Sequence, residues 1–333
     1  MFSSKSVLTT CLVVLFICTS ACASEKPVMT AWQDNDSSQR LKAFVTSVSD
    51  KSSDKFVAPA DRIAVFDNDG TLWAEQPAYF QLYFAFDQIK AIAAVDPALA
   101  QQWQHNPLYK AALDSDLNTA AGYGEKGLLE LVATSHSGMT SDQFEQSVSD
   151  WISTATHPTT GKLYTKMVYQ PMLELLDHLR ANDFRIYIVS GGGIDFIRPW
   201  AEEVYGIPKE NVIGSRISVA YDYIDGEPVI MRKPALDFID DKAGKPVAIH
   251  QFIGKRPILA VGNSDGDLQM LEWTATNTKP SLNVYIHHTD AEREWAYDSA
   301  SHIGMLKQGL IDAKKNNWLV IDMKNDWRKV FPN

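Results

Sequence analysis

Apolar positions along the chain change their period twice. Residues 24–57 are polar except for Leu41, Phe44, Val45 and Val48, whose spacing places them on one face of a helix. Residues 62–66 then form a short apolar run, the pattern of a strand buried on both faces of a parallel sheet. From about residue 75 to 165 the period is helical, clearest at 84–94, 127–134 and 141–152, with loops at 120–124 and 157–161. Beyond that, strands and helices alternate. Helices are predicted at 171–179, 194–205, 245–254 and 268–274, and strands at 185–189, 257–261, 282–286 and 318–322. Residues 216–231 read as a hairpin turning at Asp225-Gly226.

Strand–helix units of this length predict an α/β fold, a Rossmann-like parallel sheet with helices on both faces. The chain then divides into a core over 24–73 and 166–333, with the small hairpin inside it. A helical cap over 74–165 is inserted after the first strand. No internal repeat or low-complexity tract interrupts this plan.

Composition narrows the function more than the fold. The 333 residues are 45% apolar and 22% charged, which excludes disordered, collagen-like and coiled-coil classes. With 41 Asp and Glu against 31 Lys and Arg, the chain has no basic excess with which to meet nucleic acid. Small anionic substrates remain compatible, because a site can be positive within an acidic surface. All three cysteines, Cys11, Cys18 and Cys22, lie near the amino terminus. There Lys5 precedes an apolar run over 7–18 that is too short to span a membrane. The expectation is an export signal over 1–23, cleaved after Ala23, and a periplasmic protein. A second reading, from Thr19-Ser20-Ala21-Cys22, makes Cys22 a lipid-attachment site. Cleavage would remove every thiol, so chemistry falls to carboxylates, hydroxyls, Lys, His or a hard metal ion.

Ligands of open parallel sheets bind at the carboxyl edge of the strands. Three predicted strands end there in polar clusters: Asp67-Asn68-Asp69-Gly70-Thr71, Ser190-Gly191-Gly192-Gly193 and Gly262-Asn263-Ser264-Asp265-Gly266-Asp267. Carboxylates from two strand ends can converge on one hard cation such as Mg²⁺. Asp69-Gly70 is also an ordinary turn dipeptide, a reading that the companion clusters weaken. Ser190 and the following glycines offer a hydroxyl and open amides to an anion. Lys245 opens a helix, where the dipole disfavours a cation unless an anionic partner is present.

Taken in order, Asp67-x-Asp69-Gly70-Thr71, Ser190, Lys245 and Gly262-x-x-x-x-Asp267 resemble the four motifs of the haloacid dehalogenase superfamily over about 62–288. The helical insertion and the hairpin resemble its phosphoserine-phosphatase-like branch. The resemblance implies a phosphatase for small phosphate monoesters working through an aspartyl-phosphate. Asp67 would be the nucleophile and Asp69 the general acid and base. Thr71, Ser190, Gly191 and Lys245 would hold the phosphoryl group. Mg²⁺ would be bound by Asp67, the Asp69 carbonyl and the third loop. Relatives carry Asp where this chain has Asn263, so Asn263 and Asp265 stand as alternative ligands beside Asp267.

Dehalogenase relatives need no acid at the second position, so Asp69 favours ester hydrolysis. A phosphonatase would need a cap lysine, for which Lys90, Lys110 and Lys126 are available. The other class of function is a non-catalytic exported binding protein on a degenerate scaffold. Trp73, Glu75 and Tyr79 follow the first motif at the expected cap interface, with Glu75 read as an exposed helix-start glutamate or a receptor for a substrate amine. His287, His288, Asp290, Arg293 and Glu294 read as a pocket border or a solvated loop, and the tryptophans as core.

Overall fold

The sheet is organised around four residues. In the computed structural model, which describes residues 29–332, Ile63–Phe66 forms β1, buried along its whole length. The expected export signal and Cys22 lie outside the described residues. β1 pairs in parallel with β2 (Arg185–Gly193) on one side and with β5 (Leu259–Gly262) on the other. β3 (Val212–Ile224) pairs in parallel with β2, and β6 (Leu282–Thr289) with β5. Two antiparallel additions complete this path, β4 (Glu227–Phe238) beside β3 and β7 (Ala296–Tyr297) beside β6. β8 (Leu319–Asp322) pairs in parallel with β6.

Alternate side chains of β1 feed two cores, as the pleat requires. Ala64 and Phe66 join a cluster with Leu41, Val45 and Val48 of α1 (Asp36–Ser49). Ile63 and Val65 join the opposite cluster, with Ala248, Ile249, Met270 and Leu271. Covering both faces explains why β1 and β5 read as unbroken apolar runs.

Between β1 and β2 the chain makes α2 (Phe80–Val95), α3 (Pro97–Gln104), α4 (Pro107–Asp114), α5 (Leu117–Gly122), α6 (Gly124–Ser135) and α7 (Ser141–Thr154). A separate apolar cluster including Leu82, Phe86, Trp103, Leu108 and Leu131 holds α2, α3, α4 and α6 together. Then α8 (Gln170–Arg180) leads into β2, α9 (Ile194–Tyr205) joins β2 to β3, α10 (Gly244–Phe252) precedes β5, and α11 (Leu268–Ala275) precedes β6. α12 (Gln308–Asn316) leads to β8. No helix among the described residues is long and apolar enough to cross a membrane.

At the hairpin tip, Asp225 and Gly226 both have positive φ, 51° and 85°, as a two-residue type I′ turn demands. The pairing continues past residue 231 to Phe238, opposite Arg216. The extension escapes a periodicity reading because the register shifts between Arg216 and Val219 and Pro234 interrupts the strand pattern.

At the end of α6, His136 is buried, 2.7 Å from Ser135 Oγ and 3.0 Å from Gln81 Nε2. Burial, with the nearby Arg232 charge, pushes its imidazole down to about 3. The folded ring therefore stays neutral while the unfolded ring takes up a proton, so stability is full above pH 6.5 and falls as pH drops from 6.5 towards about 3. The slope is about 1.4 kcal/mol per pH unit, or about 2 kcal/mol lost by pH 5. Denaturant unfolding at pH 7 and pH 5 should show that extra loss in the wild type and not in His136→Gln. Equal losses in the two proteins would contradict it.

Candidate active site

The chemistry assembles where β1, β2 and β5 end side by side. β1 hands over to Asp67, whose amide still donates to Val261 O at 2.9 Å. The chain then doubles back, with the amides of Thr71 and Leu72 donating to Asn68 O and that of Gly70 to Trp73 O. Gly70 has φ +71°, and a Cβ there would lie 2.0 Å from Asn263 Nδ2 and 2.3 Å from Glu75 Oε1. Only glycine satisfies both the turn and that close approach.

Lys245, in the first turn of α10, is 2% exposed and occupies the centre. Its Nζ donates to Asp67 Oδ1 at 2.6 Å, Asp267 Oδ1 at 2.6 Å and Val189 O at 2.8 Å, using all three ammonium protons. Burial alone would push this ammonium down, but the Asp267 and Asp67 charges outweigh it and hold it above the usual lysine range. The Asp67 carboxyl moves up, because it is buried and faces the Asp267 charge, with Lys245 opposing.

Asp69 lies beside this pair. Trp73 Nε1 donates to its Oδ1 at 2.8 Å, and the indole is itself fixed by stacking on Trp200, ring centroids 4.4 Å apart. The other oxygen faces the second strand end: a Cβ at Gly192 would stand 3.4 Å from Asp69 Oδ2 and 3.2 Å from Ser190 Oγ. Burial pushes the Asp69 carboxyl up to about 6. Ser190 is fully buried, with its Oγ accepting from the Gly192 amide at 3.0 Å, while Gly191 is exposed at the strand end. Thr71 is fully buried and donates to Asn263 Oδ1 at 3.1 Å.

These four motif positions stand together in the fold, and the sequence comparison agrees. A family profile described as haloacid dehalogenase-like hydrolase matches residues 64–272, more than half of the chain. The chain belongs to the haloacid dehalogenase-like hydrolases. No curated protein sequence matches it significantly. A conserved, functionally unknown protein from Anaerococcus prevotii has a similar solved structure, with 16% identity, TM-score 0.52 and coverage of 76% of this chain and 85% of that chain. A protein of unknown function from Bordetella pertussis aligns at 15% identity and TM-score 0.47, covering 79% of this chain and 98% of that chain. A phosphoserine phosphohydrolase-like protein from Francisella tularensis aligns at 18% identity and TM-score 0.37, covering 68% and 88%.

In this haloacid dehalogenase-like hydrolase the third loop departs from expectation. Asp265 turns away, its carboxylate accepting from the amides of Lys307, Gln308 and Gly309 at the start of α12. A helix start leaves such amides open and attracts a carboxylate, so Asp265 is taken out of the candidate metal set. Asp267 has both oxygens occupied, Oδ1 by Lys245 and Oδ2 by the amides of Asn263 and Ser264 at 3.0 and 3.1 Å. It fixes the loop and the lysine. Asn263 is the member of the loop's candidate set that faces the Asp67 to Thr71 turn, through Thr71 and Glu75.

Among the described residues no three His, Cys, Asp or Glu side chains form a metal cage. The Asp67 carboxylate, the Asp69 carbonyl and the Asn263 amide oxygen are nonetheless all hard oxygen donors. That mixed set fits Mg²⁺, which takes few carboxylates and keeps several waters.

Glu75 was expected to be exposed and is only 2% so. Its Oε1 accepts from Asn263 Nδ2 at 2.6 Å and Tyr297 OH at 2.7 Å, and burial pushes its carboxyl well up. His288, too, is no solvated loop residue. Its Nε2 lies 2.8 Å from Gly70 O and its Nδ1 3.1 Å from the Glu294 carboxylate, bracing the Asp67 to Thr71 turn from behind. Asp290 and Arg293 pair with each other instead, and Arg293 donates to the carbonyls of Trp327 and Lys324. Trp73, read from the sequence as a residue of the cap interface, instead gives its indole N–H to Asp69, four residues before it. Gln81, from α2, accepts from the Gly193 amide at 2.7 Å, and nothing in its sequence surroundings marked it.

Replacing Lys245 by Met leaves Asp67 and Asp267 buried without their shared cation. The cost expected is about 3–5 kcal/mol in denaturant unfolding. Adding Asp267→Asn should recover part of it. A Lys245→Met protein as stable as the wild type would contradict the arrangement.

Proposed function

We propose that this chain is an exported, Mg²⁺-dependent phosphomonoesterase of the phosphoserine-phosphatase-like branch, acting on small phosphate esters through an aspartyl-phosphate. The observation that carries the reading is the placement of Asp69. One oxygen is held by Trp73, and the other faces the Ser190 and Gly192 cradle beside Asp67. A second, half-buried acid at that point suits protonation of an alcohol leaving group and has no use in halide departure. Phosphonate cleavage lacks support, since Lys90 and Lys110 pair with Asp87 and Asp114 on partly exposed surface and Lys126 is exposed. The presence of both acids, Asp67 and Asp69, at one strand end likewise disfavours a non-catalytic binding protein. Export rests on the amino-terminal sequence pattern.

Asp67 attacks phosphorus in line with the ester oxygen, forming the Asp67 O–P bond as the P–O bond to the alcohol breaks. Asp69 delivers its proton to the departing alkoxide. As a carboxylate it then takes a proton from the water that attacks the Asp67 phosphoryl group, releasing phosphate and restoring both acids. Lys245, Ser190, Thr71 and the amides near Gly191 hold the phosphoryl oxygens and meet their charge. Mg²⁺, held by Asp67, the Asp69 carbonyl and Asn263, would supply Lewis-acid neutralisation of that charge. The helical insertion reaches the cradle through Gln81.

Mature protein incubated with Mg²⁺ and p-nitrophenyl phosphate should release phosphate, and Asp67→Asn should reduce this to background. Asp69→Asn should lower kcat by about 10²–10⁴. The deficit should be larger for a simple alkyl phosphate, whose leaving group needs the proton more. Equal activity of Asp67→Asn and wild type would overturn the reading.

A further inference from the structure

The third loop of this site is short of one charge. Asn263 is neutral, Asp265 caps α12, and Asp267 is saturated by Lys245 and two amides. A cation between the nucleophile turn and this loop would therefore meet only one open carboxylate from the motif residues, that of Asp67. Resting on the phosphomonoesterase reading, we propose that Glu75 is the second carboxylate of the metal site, replacing from the first turn the charge that Asn263 does not carry.

Three observations place it there. Glu75 Oε1 is 2.6 Å from Asn263 Nδ2, so the carboxylate abuts the side chain of the neutral ligand. It also lies against the nucleophile turn, 2.3 Å from where a Cβ on Gly70 would be. Gly304 gives way to it in the same manner, since a Cβ there would fall 2.0 Å from the same oxygen. Both hydrogen-bond donors, Asn263 Nδ2 and Tyr297 OH, meet Oε1, and none among the described residues reaches Oε2. A carboxylate that is 2% exposed, has no ion pair among the described residues and keeps one oxygen open is placed to complete the charge around a cation. Among the described residues the cation at this site is Lys245, which donates to Asp67, Asp267 and Val189 and not to Glu75.

The charge can be moved to test this. Mg²⁺ binding is measured by calorimetry, and Mn²⁺ binding by electron paramagnetic resonance, with no phosphate ester present. Four proteins are compared: wild type, Glu75→Gln, Asn263→Asp and the double variant. Glu75→Gln keeps the shape and should weaken cation binding by about ten- to a hundredfold. Asn263→Asp should tighten binding and lower the melting temperature of the metal-free protein, because two carboxylates then face each other. The double variant, with the charge on the other partner, should return to within a few fold of wild type. Circular dichroism of each variant checks that it folds. Unchanged cation affinity in folded Glu75→Gln overturns the proposal, as does failure of the double variant to regain it. So does an effect of Glu75→Gln confined to KM for amine-bearing esters, which would make Glu75 a substrate contact. Absence of turnover in wild type, with the cation titrations behaving as stated, would instead count against the phosphomonoesterase reading alone.

Discussion

One buried ammonium group ties the carboxyl edge of the sheet together. Lys245 reaches the end of β1 through Asp67, the end of β2 through Val189 O and the loop after β5 through Asp267. Burying a lysine is costly, and it is tolerated here because each of its protons meets an acceptor and two of those acceptors are carboxylates. The same contacts set the chemistry. They orient Asp67, and they bring a positive charge to where a phosphoryl group would sit. Around this point the backbone is crowded enough that Gly70 and Gly262 approach side chains of the site more closely than any Cβ would allow.

Side chains packed behind the site fix the direction of its functional groups. Trp73 holds one oxygen of Asp69 while stacking on Trp200 of α9. His288, backed by Glu294, meets the carbonyl of Gly70. Gln81 joins the helical insertion to the Gly193 amide and to His136. Trp73 lies four residues beyond Asp69, whereas the others arrive from α2, β6 and the loop after it. Rigid positioning of this kind is what lets a charged site stay ordered before a ligand neutralises it.

The strand ends were legible because a fully buried strand leaves a continuous apolar run, and a run that stops abruptly in Asp, Asn and Gly marks where the chain leaves the core. β1 and β5 are legible in this way, β2 by its apolar stretch from Ile186 to Val189, and so are their polar ends. The exposed reading of Glu75 fails for the matching reason. It lies outside the apolar pattern, so its one-dimensional setting is that of a surface acid, although Gly304 and Tyr297 close over it from more than two hundred residues away. For the same reason Asp265 reads in sequence as an alternative metal ligand beside Asp267. Nothing in Ser264-Asp265-Gly266-Asp267 says that one carboxylate will face α12 and the other Lys245.

By itself the sequence determined the class of fold, the family motifs and the residue types available to the chemistry. Periodicity and covalent spacing are local properties, and they act over a few residues at a time. The tertiary structure decided which oxygen of each carboxylate is free, which acid is buried and which partner it meets. Those outcomes depend on contacts such as Asp67 with Lys245, 178 positions apart, and Glu75 with Asn263, 188 apart. At such separations proximity is fixed by how β1 and β5 pair in the sheet, and the charge balance of the site follows from that pairing.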